Sequence, residues 1–271
     1  MPAPVICFGQ QPCGFFPKRF LVAKILTARR LQKEMGGEIV FFFHDGDHDP
    51  RETKTTLRHI QSGKPLDYNF EFENKVQKKF SPLYLKRVPE AWHKKMVQTL
   101  PNYVGKPLVE LFKGAHCTNV ADFCLHIYQQ MPDPSDPSRK LLDGIEVARS
   151  SDKALRMAAC EIPDYFADVA YQNEIVRARL AEKEEVKSLQ LHEGGPVFID
   201  LPFPAEGVAK AQITPTRDTR LKWMQSVLHC THYIAGMGEQ GYLNKADAPE
   251  IQFVNRDPVE RLDEAWTELT L

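Results

Sequence analysis

The sequence predicts an α/β fold: a Rossmann-like parallel sheet core carrying a largely helical insertion. Three observations carry this reading. Residues 4–49 pattern as strand, loop, helix and strand, strand-like runs recur near the C-terminus, and the middle of the chain is patterned as helices. Parallel strands joined by a helical crossover are right-handed neighbours, so the loops that follow both strands emerge at one carboxyl edge of the sheet. That edge is where open α/β sheets bind ligands. The expected division assigns residues 1–80 and 191–271 to the core and 81–190 to the helical insertion.

Taken in order, Val5, Ile6, Cys7 and Phe8 form one continuous apolar run and Ile39 to Phe43 another, the pattern of strands covered on both faces. Between them Leu21, Ile25, Ala28, Leu31 and Met35 recur at steps of three and four and give a helix one apolar stripe, with Lys24, Arg29, Arg30 and Lys33 expected to face elsewhere. Pro17 suits the start of this helix and Gly36-Gly37 its end. A polar, Thr-rich stretch follows, and Tyr68, Phe70 and Phe72 alternate as in a short strand. AWHKKMVQTL, LVELFKG and NVADFCLHIYQQM read as helices separated by Pro and Gly. Met131 to Lys140, with its prolines and turn formers, reads as a linker. A long helix is expected over Pro163 to Gln190 with a solvated charged end, then a strand at VFIDLPF. In the last third TRLKWMQSVLHC reads as a helix, HYIAGMGEQGYL as a strand entering a glycine-rich turn, EIQFV as a strand, and DPVERLDEAWTEL as a terminal helix capped by Asp257.

With 35 basic and 36 acidic residues, the net charge of −1 supplies no general pull toward nucleic acid or membrane. The Lys-rich segment from Lys75 to Lys95, interleaved with Phe80, Tyr84 and Trp92, reads as a solvated helical face. The apolar runs are too short to span a bilayer and the N-terminal residues lack the pattern of a signal peptide, so the expected location is cytoplasmic. The six cysteines include no CxxC pair, which argues against a zinc ribbon or redox dithiol and for small buried hydrophobes. Cys13 stands apart because it precedes a helix N-terminus, although a loop cysteine without chemistry is the simpler explanation.

Three loops are expected to meet at the sheet edge. In Gly9 to Lys18, Gly9 and Gly14 expose backbone N–H groups ahead of a helix, with Gln10, Gln11 and Lys18 beside them, an arrangement suited to phosphate or sugar. It is not a Walker A loop, and a tight structural turn would also use two glycines. In HDGDHDPRE, His44, Asp45, Asp47, His48 and Asp49 crowd into six residues after a buried strand. Asp47 and Asp49 could hold Mg²⁺ or sugar hydroxyls, and His48, with Asp47, is the candidate for contact with the reacting group. In the third loop Gly238, Glu239 and Gln240 lie in a turn that lets backbone approach a ligand closely.

Gly9-Gln10-Gln11 in the first loop and Gly46-Asp47-His48-Asp49 after the second strand together resemble the N-terminal part of the bacillithiol-biosynthesis cysteine-adding enzymes. The resemblance spans about fifty residues and implies a Rossmann-like core related to class I aminoacyl-tRNA synthetases and other nucleotidylyltransferases, with a nucleotide-type pocket. The chain is shorter than those enzymes, lacks a His-x-Gly-His signature in the first loop, and shows no Lys-Met-Ser-Lys-Ser-like loop. The expectation is an enzyme that binds ATP or ADP, with or without Mg²⁺, or another phosphorylated ligand, and joins or activates a small amine, thiol or carboxylate substrate. The alternative is a non-catalytic Rossmann-like module that senses a ligand or binds a partner. Kinship with synthetases implies a third, RNA contact through Lys75 to Lys95, for which the solvated face is the simpler account.

Overall fold

The structure, a computed structural model, describes residues 3–47, 49–72, 78, 81–152, 154–155, 158, 178–179, 200–201, 220–243 and 245–268. At its centre β1 (Val5–Gln10) pairs in parallel with β2 (Glu38–Phe43) across the helix α1 (Arg19–Met35). A small antiparallel pair, β3 (Thr55–Arg58) and β4 (Pro65–Tyr68), leads to three helices, α2 (Glu90–Thr99), α3 (Lys106–Gly114) and α4 (Val120–Gln130). A hairpin of β5 (Pro132–Asp133) and β6 (Asp136–Lys140) then feeds β7 (Ile145–Arg149). After a two-residue pair, β8 (Ala178–Arg179) with β9 (Asp200–Leu201), come α5 (Arg220–Leu228), β10 (His232–Ala235), the one-turn helix α6 (Met237–Gln240) and β11 (Gln252–Asn255).

The main sheet runs β11-β10-β1-β2-β7, and every neighbouring pair is parallel. Numbered by their order along the chain, these strands read 3-2-1-4-5 across the sheet, the Rossmann order. The continuous apolar runs have a direct cause. Ile6, Phe8, Ile39, Phe41 and Phe43 pack on one face with α1, α3 and α4, whereas Cys7, Val40, Phe42 and Tyr233 pack on the other with Leu221, Trp223 and Met224 of α5. Phe8 and Phe41 stack across β1 and β2 with ring centroids 4.9 Å apart.

Several expectations need correction. The stretch 81–190, expected as a largely helical insertion, also supplies β7, an edge strand of the parallel sheet. Met131 to Lys140 is a hairpin, tied down where Arg29 pairs with the buried Asp133 and donates to the Leu141 carbonyl at 3.0 Å. The Thr-rich stretch before Tyr68 supplies β3. Residues 256–268 do not form a terminal helix. They run as an extended strap held by bridges from Ala265 to Lys18 and from Glu264 to Thr56, and Asp257 pairs with Arg30 instead of capping a helix. Cys7 and Cys230 are joined as a disulfide, so these two cysteines are not the isolated hydrophobes expected. The helix expected over Pro163 to Gln190 lies outside the described residues except for Ala178–Arg179, which pair as β8, and of the strand expected at VFIDLPF only Asp200–Leu201 are described.

Candidate functional site

In the 3-2-1-4-5 order the chain direction reverses between β1 and β10, and a crevice opens at the carboxyl ends of strands flanking such a point. A cleft of about 920 Å³ lies there. One wall comes from the end of β1 (Gly9, Gln10 and Gln11), another from the loop after β10 (Gly236, Gly238, Glu239 and Tyr242), and a third from the end of β11 and the strap (Asn255, Arg256 and Leu262). Lys24, Glu52, Arg220 and Asp257 complete its polar lining.

The floor is a closed polar network. Lys24, on the second turn of α1 and 2 % exposed, donates from Nζ to the Gly9 carbonyl at 2.8 Å and to Glu239 Oε2 at 2.6 Å. The Tyr233 hydroxyl donates to Glu239 Oε1 at 3.0 Å. A buried charge is stable only when paired and hydrogen-bonded, and both conditions are met here. Burial, with the Glu239 carboxylate beside it, pushes the Tyr233 phenol well above its ordinary range, so it stays a protonated donor. Gly9 is required by this packing: a Cβ there would sit 2.5 Å from the Tyr233 hydroxyl.

Electrostatically the cleft mixes guanidinium groups with acids. The Arg220 guanidinium is raised, against the effect of its own burial, by Tyr233, Tyr242, Glu239 and Asp47. Burial is also the main cause of the raised Glu52 carboxyl; the Asp47 and Asp49 carboxylates add to the rise and the Lys18 ammonium opposes it. A carboxyl raised in this way is suited to carry a proton.

Of the residues expected from sequence, Gly9, Gln10, Gln11, Gly238 and Glu239 come together in this cleft. Gln240 sits beside it, donating to Asn255 Oδ1 at 2.6 Å. Gly14 and Lys18 do not line it. The chain from Pro12 to Arg19 dives into the core, where Gly14 adopts φ +115 and its carbonyl accepts the Tyr128 hydroxyl at 2.6 Å. The α1 N-terminus is not open to an anion either: the Arg19 and Phe20 amides donate to the Glu264 and Leu262 carbonyls of the strap, at 2.9 and 3.1 Å. Cys13 is buried against Tyr128 and its thiol is raised by that burial, the reverse of an activated thiolate.

The acidic loop after β2 is mostly a structural anchor. Asp45 is fully buried and is held by Arg149 at 2.7 Å, by the Ser150 and Ser151 hydroxyls and by the Ser151 amide. Asp47 accepts the Asp49 amide, and the Asp49 carboxylate is clasped by Arg51 at 2.6 Å. Neither lines the cleft, and their effect on it runs through Glu52 and Arg220. His48 lies outside the described residues. Among the described residues no group of three or more His, Cys, Asp or Glu is placed to hold a metal ion. The Lys75 to Lys95 segment offers no aromatic platform at Trp92, which is buried and donates to the Asn69 carbonyl at 2.9 Å; Phe80 lies outside the described residues.

Sequence reasoning missed Lys24, Glu52, Arg220, Tyr242 and Arg256. Lys24 carried a usable signal, because it falls between Leu21 and Ile25 on the apolar stripe, where a lysine must find a buried partner. Arg220 and Arg256 carried none, since their placement depends on the strand order. The fold and cleft thus define the class, a Rossmann-like α/β protein with a crevice at its switch point. No protein-family model and no curated protein matches the chain. Among the described residues no helix is long and apolar enough to cross a membrane.

Proposed function

We propose that the chain is an enzyme that binds a nucleotide such as ATP or ADP, or another phosphorylated small molecule, in the β1/β10 cleft, and there joins or activates a small amine, thiol or carboxylate. The observation that carries the binding half is the cleft at the switch point with Arg220 and Arg256 in its lining. Guanidinium groups match phosphate oxygens bidentately, and the cleft falls in the usual size range of small-molecule sites, roughly 300–1,000 Å³. In this reading Gln10 and Gln11 hydrogen-bond the sugar or phosphate, Lys24 keeps the β1 and α6 walls in register, and Glu52 is the acid–base group. The ligase half rests on the resemblance of Gly9–Gln11 and Gly46–Asp49 to the cysteine-adding enzymes. A cytoplasmic location belongs to the same proposal; the Cys7–Cys230 disulfide weighs against it, since such bonds are uncommon in reducing compartments.

A second reading, a ligand-sensing module without turnover, is favoured by one feature. Lys24, Glu239 and Tyr233 satisfy one another, so the floor holds the two walls together rather than presenting a nucleophile. Calorimetric titration with ATP, ADP and AMP, each with and without Mg²⁺, tests both. Saturable binding that Arg220→Ala and Arg256→Ala each weaken by about tenfold is expected, the loss of one charge-assisted contact. Saturation that ignores both substitutions, or no binding of any nucleotide, overturns the assignment. Product from ATP with cysteine and an amino-sugar acceptor separates the enzyme from the sensor.

A further inference from the structure

A second cleft, of about 530 Å³, shares no lining residue with the first, although the strap contributes to both. Its charged lining is Arg19, Arg58, Arg261, Glu264 and Glu268, its polar lining adds Tyr103, His59, Thr56 and Thr267, and its apolar lining includes Ile60, Val104 and Pro107. The charges are unequal, three guanidinium groups against two carboxylates. Each acid faces two arginines: Glu264 pairs with Arg58 and lies 3.6 Å from Arg261, and Glu268 pairs with Arg19 and lies 3.7 Å from Arg261.

Arg19 is the informative residue. It is 7 % exposed, its guanidinium lies 5.1 Å from the Trp266 ring centroid, and its Nη2 donates to Glu268, whose side chain is 55 % exposed. Its Nε is buried and has no hydrogen-bond partner among the described residues. Guanidinium groups bind carboxylates with two parallel N–H donors, so an arginine with one edge donor used and the other buried without an acceptor is a half-filled fork. The Tyr103 hydroxyl, in the same lining, is likewise buried without a partner among the described residues. Burial, reinforced by Tyr68 and Glu264, pushes this phenol up, which keeps it a proton donor. Native structures seldom leave buried donors without acceptors, and two in one cleft need an explanation.

We propose that this cleft is a ligand site for a small monocarboxylate with an apolar body, whose carboxylate accepts from Arg19 Nε and Nη2 in place of the half-exposed Glu268 and from the Tyr103 hydroxyl. A negative charge suits a cleft whose guanidinium groups outnumber its carboxylates. The apolar lining favours an aliphatic or aromatic body over inorganic phosphate, which would carry its hydration into contact with Val104 and Pro107.

Calorimetry on the full chain tests this with hexanoate, its neutral isostere hexanamide, and inorganic phosphate. Hexanoate is expected to saturate, with hexanamide and phosphate at least about tenfold weaker, the loss expected for charge-assisted hydrogen bonds or for an unmatched body. Tyr103→Phe should weaken hexanoate about tenfold without lowering the melting temperature, because the hydroxyl it removes has no structural partner to lose. Arg19→Gln should abolish binding, and the Tyr103→Phe result stands if that variant does not fold. Arg220→Ala, in the other cleft, should leave hexanoate binding unchanged. The proposal is overturned by no saturation below about 10 mM, by equal affinity for hexanamide, by indifference to Tyr103→Phe, or by weakening on Arg220→Ala.

Discussion

Replacing Gly9 with alanine probes the joint between β1 and β10 directly. The added methyl would lie 2.5 Å from the Tyr233 hydroxyl, whereas the ring carbon bearing that hydroxyl would be at 3.6 Å, an ordinary contact. Tyr233 has little room to yield: it is 3 % exposed, its ring packs 6.0 Å from that of Phe253, and its hydroxyl is bound to Glu239. The strands have to part and the hydroxyl has to be drawn off Glu239, each in part. Overpacking of this kind costs about 1–3 kcal/mol and a hydrogen bond to a charged group about 1.5–3 kcal/mol, so Gly9→Ala should cost about 2–4 kcal/mol. Because the clash belongs to one oxygen, Tyr233→Phe should largely relieve it. In that background the alanine should cost less than about 1 kcal/mol, a coupling of about 1–3 kcal/mol in the double-mutant cycle. Urea unfolding of the four proteins measures this. Additivity within about 0.5 kcal/mol would refute the argument that the hydroxyl dictates glycine at this position.

Two further outcomes follow from buried groups away from the cleft. The Lys86 ammonium is buried, donates to the Lys78 carbonyl at 2.9 Å, and is lowered by that burial to about 7, although Asp47 and Asp49 pull it upward. A lysine lowered in the folded state binds fewer protons there than in the unfolded chain between about pH 7 and pH 10.4, so it makes stability rise with pH across that window. The difference between wild type and Lys86→Met in urea midpoint should therefore move in favour of wild type from pH 7 to pH 10, and a constant difference would contradict the lowered lysine. The Cys7–Cys230 disulfide closes a loop with a sequence separation of 223. Chain-entropy reasoning assigns such a loop about 5 kcal/mol, near the upper end of observed values, so reductant should lower the unfolding midpoint clearly, and an unchanged midpoint would count against that contribution.

What was legible in the sequence was what local pattern determines. The unbroken apolar runs of β1 and β2 reported burial on both faces, and the stripe of Leu21, Ile25, Ala28 and Leu31 reported α1, because both signals are periodic and close in sequence. β7 escaped notice because Ile145 to Arg149 follows a proline-rich segment and is only five residues long, with Glu146 and Arg149 breaking its apolar run. The terminal segment misled for the opposite reason: Asp257-Pro258 is a good helix start, but Arg19, Phe20 and Thr56 offer its backbone better partners than a helix would. Within the candidate site, the β1 and β10 loops were legible from glycine placement. The acidic loop was not, because Asp45 satisfies Arg149, which lies 104 residues away in the chain.

The strap also explains why the recognition chemistry of the cleft differs from what its fold would suggest. In Rossmann sheets the first helix after β1 ordinarily turns its N-terminal amides toward the ligand's phosphates. Here the carbonyls of Leu262 and Glu264 take the Phe20 and Arg19 amides, and the loop leading to the helix is buried around Gly14, Phe15 and Phe16. An anion entering the cleft therefore has to be met by side chains, and those available are Arg220 and Arg256, which approach from α5 and from the end of β11 on the far side of the switch point. Side-chain cations tolerate a wider range of anion shapes than a fixed array of backbone donors, and they lose more of their attraction when salt screens them. The same strap residues that close the helix end also shape the second cleft through Arg261, Glu264 and Glu268. Sealing the conventional anion site and shaping the second cleft are thus two consequences of a single C-terminal strap docking along α1 and β3.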